Sequence, residues 1–150
     1  MKKTRLNMPI LLIALGILLF VCMSACGGNS ELAAASGKYE LFGHGLDGYV
    51  LQAEDMTSEL TLKSNGTGKL SMNGESGSIS SWSLEGDGIM LCSGGDTIEG
   101  TIQDGVLILE FEGGNTLYYA KEGTDVSSVP VMSTDEYYEA LTRSMMGRDG

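Results

Sequence analysis

Three cysteines and a single histidine in a chain of 150 residues leave few ways to assemble a reactive centre. Cys22 and Cys26 close an apolar run near the N-terminus, and Cys92 stands alone in the strand-like stretch GIMLCSGG. A thiol can act as nucleophile, metal ligand, disulfide partner or modification site, depending on its neighbours. Zinc sites with two histidines are impossible with His44 alone, and any Ser-His-Asp arrangement would depend on that one ring. His44 lies in FGHGLDG, whose glycines predict a solvated loop. The stretch GESGS has its second glycine one place too early for a nucleophile elbow, and no phosphate-cradling loop occurs. The acids of EGDG and GGDTIEG lack the regular oxygen-ligand spacing of a calcium loop and read as solvated turn residues. Asn65-Gly66-Thr67 matches a glycosylation acceptor, although a hairpin turn accounts for it equally. These residues predict no catalytic centre, no metal and no cofactor, hence a protein that is not an enzyme.

The N-terminal cysteines gain meaning from what precedes them. Lys2, Lys3 and Arg5 lead into an apolar stretch from Pro9 to Ala25 that ends on small residues. That order is the signature of a secretory signal peptide. The uninterrupted apolar core, Ile10 to Met23, is shorter than the ~20 residues a membrane-crossing helix needs. Met23-Ser24-Ala25-Cys26 resembles the lipobox of bacterial lipoproteins, with Met where Leu is usual. The resemblance implies that Cys26 receives a diacylglycerol and becomes the first residue after cleavage. Cys22 is discarded in this reading, because bulky Phe20 and Val21 precede it. Acyl chains contribute about 0.8 kcal/mol per buried methylene, so two or more hold the chain durably. The alternative is an uncleaved transmembrane anchor over Met8 to Ala25. Both readings leave the basic end inside, so the remainder lies on the outer face of the cytoplasmic membrane.

Charge narrows the partners. Loss of residues 1–25 removes three of the nine Lys and Arg and none of the 20 Asp and Glu, leaving a net charge of −14. Such a surface repels nucleic-acid phosphates and anionic headgroups, which excludes nucleic acid as the expected partner. Cys92 would be the one unlipidated thiol, so no internal disulfide staples the exported part. Its stability must come from an apolar core, in which Cys92 reads as a small, partly buried side chain.

That core has to be supplied by strands. Residues 26–36 are small and polar enough for a tether, and SELAAA within them is too short for a stable helix on its own. From Gly37 onward, short apolar or alternating runs are punctuated by Asn65-Gly66, Asn73-Gly74, Gly94-Gly95, Asp104-Gly105 and Gly113-Gly114. Asn-Gly and Asp-Gly supply the positive φ values of tight hairpins, so successive strands are antiparallel neighbours. Alternation points Tyr39, Leu41, Leu60, Leu62, Leu70, Met72, Trp82, Leu84, Ile89 and Leu91 to one face. Ile98, Ile102, Leu107, Leu109, Phe111, Leu117 and Tyr119 continue it. The expectation is an all-β fold, a small up-and-down meander barrel of about eight strands across 37–122. A linker, 123–132, leads to an amphipathic helix over 133–147, with Ser133 and Glu136 at capping-box spacing. Tyr137, Leu141 and Met145 form one stripe, expected to pack on the barrel; a helix presented to a partner is the alternative.

The segments LTLKSNGTGKLSMNGESGSISSWSLEGDGIML and GTIQDGVLILEFEGGNTLYYAKEG resemble the small lipocalin-like domains of lipoproteins from Gram-positive anaerobes. The shared features are turns and core positions in order, spanning Gly37 to Gly123. Gly37-Lys38-Tyr39 departs from the Gly-x-Trp of true lipocalins, and the strands are shorter. The lipobox, the meander and the absence of paired catalytic groups lead to the expectation of a non-enzymatic binding or envelope-support module at the cell surface. A carrier of a small apolar ligand in the barrel mouth is the alternative, with Tyr39, Trp82, Phe111 and Tyr119 lining a pocket instead of filling a core. Barrels of about eight strands enclose little beyond their own side chains.

Overall fold

The computed structural model describes residues 30–146. The expected signal helix and the lipobox residues Met23, Ser24, Ala25 and Cys26 lie outside the described residues.

Residues 30–35 are helical and are labelled α1. Eleven strands follow: β1 (Gly37–Leu46), β2 (Tyr49–Gln52), β3 (Ser58–Leu62), β4 (Gly68–Met72), β5 (Glu75–Ile79) and β6 (Ser81–Glu85). The rest are β7 (Gly88–Ser93), β8 (Asp96–Gln103), β9 (Val106–Phe111), β10 (Asn115–Lys121) and the two-residue β11 (Val131–Met132). A helix, α2 (Thr134–Met146), comes last. Nine strands make a nearly closed antiparallel barrel in the order β5-β4-β3-β1-β10-β9-β8-β7-β6. Sequence neighbours pair almost throughout, because the hairpin turns are as short as their chemistry demands. Asn73 and Gly74, like Asp104 and Gly105, both have positive φ, the geometry of a tight hairpin matched to strand twist.

Two features depart from a simple meander. β1 is long enough for one edge to serve two strands: Gly37–Glu40 pairs with β3, and Gly43–Leu46 pairs with β2. A bulge at Phe42 separates these halves and turns its ring outward onto Tyr118, with centroids 6.2 Å apart. β5 and β6 are one continuous stretch interrupted only at Ser80. Its first half pairs with β4 and its second with β7, so this bent strand joins the two ends of the sheet.

The interior is solid. Tyr39, Leu60, Leu91, Leu107, Leu109 and Tyr119 are fully buried, with Leu62, Ile79, Trp82 and Ile89 nearly so. Leu41, Leu70, Met72, Leu84, Ile98, Ile102 and Phe111 pack around them. Every inward position assigned by alternation lies in or against this core. β5 escaped the alternation because Ser76, Gly77 and Ser78 are exposed and only Ile79 is buried.

The C-terminal helix begins as its capping box requires. Ser133 N–H donates to Glu136 Oε2 at 2.8 Å, and Glu136 N–H donates to Ser133 Oγ at 3.3 Å. Its stripe does not pack as one unit. Tyr137 is buried, donating to Asp47 Oδ2 at 2.7 Å and stacking edge-on against Tyr49. Leu141 and Met145 remain 41% and 60% exposed. The helix touches the barrel wall near β2 with its first turns only, and β11 pairs in parallel with β2 beside it.

Candidate functional site

The ends of the barrel are built differently. At the end where β1 starts, α1 sets Leu32 and Ala35 against the core. Tyr39 Oη donates to the Ala35 carbonyl at 2.5 Å, and Lys121 Nζ donates to the Ala34 carbonyl at 2.6 Å. These two bonds and the apolar contact hold residues 30–35 against the end of the barrel. Burial removes water from the Tyr39 hydroxyl and pushes its pKa up to about 12.

The β3–β4 turn completes this closed end. Asn65 does not take the left-handed conformation; its Oδ1 instead accepts from Thr67 N–H at 3.1 Å, and Gly66 alone has positive φ. The turn thereby aims carbonyls at β6. Trp82 Nε1 donates to Lys63 and Thr67 carbonyls at 2.9 and 3.1 Å, and Trp82 N–H donates to Gly66 at 2.7 Å. The indole thus closes the seam between β6 and the β3–β4 turn. Sequence reasoning identified Trp82 as inward but not as a clasp.

At the opposite end, which we call the mouth, the seam is open. Ser78 O accepts from Ser93 Oγ at 3.0 Å, and Ser80 N–H donates to Cys92 O at 2.9 Å. Between these points and the β4–β5 hairpin, β5 and β7 lie side by side without a ladder. Alternate residues of a strand present both backbone groups to the same edge. Ser76 therefore turns its N–H and C=O toward this gap, as Ser78 does. A recess of about 710 Å3 opens there, lined by Leu70, Met72, Glu75, Gly77, Ser93 and Phe111. A second, of about 770 Å3, shares Phe111 and carries Asp96, Glu99, Glu110 and Glu112.

The lysines follow the same division. Lys38, Lys63, Lys69 and Lys121, the four lysines among the described residues, all lie at the α1 end by strand register. Lys38 forms ion pairs with Glu59 Oε2 at 2.8 Å and Glu40 Oε1 at 3.2 Å. Its hydrogen bonds to Glu59 and then Glu40 raise its pKa above that of a free lysine.

The singled-out residues fall on both sides of this division. Tyr39, Trp82 and Tyr119 are core residues; Tyr119 Oη shares a 2.9 Å hydrogen bond with buried Ser58 Oγ, and burial raises its pKa. Phe111 alone of the four aromatic positions lines a recess. Cys92 is a half-buried free thiol. His44 corrects the loop expectation: it lies within β1, opposite Leu51 of β2 and Leu117 of β10, and its Nδ1 is buried with no hydrogen-bond partner. The turn falls later, at Asp47 and Gly48, both with positive φ. Among the described residues no three His, Cys, Asp or Glu side chains converge as a metal site would require. No helix of the described residues is long and apolar enough to cross a membrane.

Comparison with protein-family models, with curated proteins and with solved structures gives no match.

Proposed function

We propose that this protein is a lipid-anchored surface protein of a bacterium, exported by its N-terminal segment and tethered through Cys26. Its barrel is a non-enzymatic binding or envelope-support module of lipocalin-like type. The observation that carries the reading is Met23-Ser24-Ala25-Cys26 at the end of a short apolar run behind three cations. Support comes from the position of α1. Cys26 stands four residues before Ser30 in the sequence, and the helical residues 30–35 pack on the lysine-bearing end. An anchor at Cys26 therefore turns that end toward the membrane and the mouth away from it.

A binding role is favoured over an internal carrier by the packing. Tyr39, Trp82 and Tyr119 fill the core and leave no lining role for themselves. A small apolar ligand would have only the mouth recess beside Leu70, Met72 and Phe111.

The test is the mass of the full chain recovered from membranes of a Gram-positive bacterium expressing it. The expected product begins at Cys26 and carries a diacylglycerol, and Cys26→Ala abolishes both the mass increase and membrane retention. Soluble protein with an unmodified Cys26 would contradict the reading.

A further inference from the structure

Glutamates oppose each other across neighbouring strands twice in this barrel. Glu40 of β1 faces Glu59 of β3, and Glu99 of β8 faces Glu110 of β9. Like charges directly opposite destabilise a sheet. In the first pair Lys38 lies within ion-pair distance of both carboxylates. In the second, the described residues offer no such cation, and Asp96 and Glu112 add two more carboxylates beside it. Among the described residues a counter-ion is paired with the first glutamate pair and none with the second.

The uncompensated pair lies across β7 from the open seam, at the same end of the barrel. The recess holding Glu99 and Glu110 meets, at Phe111, the recess beneath the unpaired edge of β5. The Ser78 carbonyl is taken by Ser93 Oγ, so the free backbone groups of this edge are those of Ser76 near the hairpin, where an extended chain can pair and set a side chain in the apolar recess beside it. Gly77 faces this recess without a side chain, leaving room beside Leu70, Met72 and Phe111.

We propose that the β5 edge and the adjoining mouth recesses bind an extended, basic segment of a partner protein. The segment pairs with β5 at Ser76, sets an apolar side chain against Leu70, Met72 and Phe111, and places a lysine or arginine by Glu99 and Glu110. A second copy of this chain fits less well, since pairing two β5 edges brings two acidic mouths together. A metal ion fits less well because the carboxylates do not converge. The inference builds on the reading of the barrel as a binding module and is independent of the anchor at Cys26.

The test uses 15N-labelled full-length protein in detergent micelles and an acetylated peptide of alternating lysine and valine. Saturable amide shifts are expected at Ser76, Ser78, Ser93 and Asp96. Affinity should fall at least about tenfold when alternate peptide amides are N-methylated, which removes strand pairing, and again with Glu99→Gln plus Glu110→Gln. The proposal is overturned if the shifts fall elsewhere, or if N-methylation or the charge change leaves affinity unaltered. It is equally overturned if an alternating glutamate–valine peptide binds as well, or if β5 shifts with protein concentration alone, which would assign the edge to a second copy. None of these results bears on lipidation, so failure here leaves the anchor reading standing.

Discussion

The α1 end and the mouth of this barrel face the same physical problem, the closure of a sheet whose last strands do not meet in a complete ladder. At the α1 end the problem is solved internally. The helical residues 30–35 cover the opening, Tyr39 and Lys121 tie them down, and Trp82 clasps the β3–β4 turn through three hydrogen bonds. At the mouth, side-chain bonds from serines stand where a ladder would be, and β5 keeps a free edge above an apolar recess. The difference teaches that incomplete closure costs little when the groups left over remain in water. An unpaired edge inside the core would cost 1–3 kcal/mol per buried polar group, whereas one at the rim exchanges partners with solvent.

The largest expected effect lies at the clasp. Trp82→Ala removes a buried indole and should cost roughly 3–5 kcal/mol in urea unfolding. Phe111→Ala, on the half-buried rim, should cost distinctly less. Equal losses would erase the distinction between the ends.

A pH titration sharpens the same contrast. An unfolded tyrosine ionises near pH 10, whereas Tyr39 holds its proton to about 12. Its contribution is therefore complete below pH 10 and is lost as pH rises from 10 through 12, because only the unfolded chain gives up the proton in that window. Tyr39→Phe should lower stability at neutral pH by roughly 0.5–1.5 kcal/mol and flatten part of the alkaline decline. The raised Tyr119, Tyr137 and Lys38 sustain the remainder. An unchanged alkaline profile would show that the folded chain does not keep the Tyr39 hydroxyl from water.

The C-terminal helix should give the smallest effect. Leu141→Ser together with Met145→Ser should move stability by no more than about 0.5 kcal/mol, since both side chains are already largely exposed. Deleting 131–150 should lower the melting temperature measurably, because it removes Tyr137 and the β11 pairing. The reverse ranking would place the helix on the barrel through its whole stripe.

The barrel was legible in the sequence because its core is written in period-two alternation between Asx-Gly turns. Leu60 with Leu62, Leu107 with Leu109 and Leu117 with Tyr119 are inward for that reason. The mouth was not legible, and the cause is physical. β5 borders a recess and buries only Ile79, so it carries no apolar pattern to read. α1 was discounted on length, because its stability comes from Tyr39 and Lys121, distant in sequence or on another element. His44 looked like a loop residue because glycines flank it. Those glycines instead allow close approach within the strand: a Cβ at Gly45 would run into Thr116 Oγ1, and one at Gly43 would meet Val50. The apposition of Glu99 and Glu110 depends on strand register, which composition does not carry. Only Asn65-Gly66-Thr67 hinted at the clasp, as a turn without its target.

Native-state hydrogen exchange tests the asymmetry of the two ends most directly. Under stabilising conditions the Trp82 amide and indole N–H should exchange as slowly as the core strands, while Ser76 and Ser78 amides exchange orders of magnitude faster. Equal protection at Trp82 and at β5 would mean that the mouth seam is as closed as the other end, and would contradict the account.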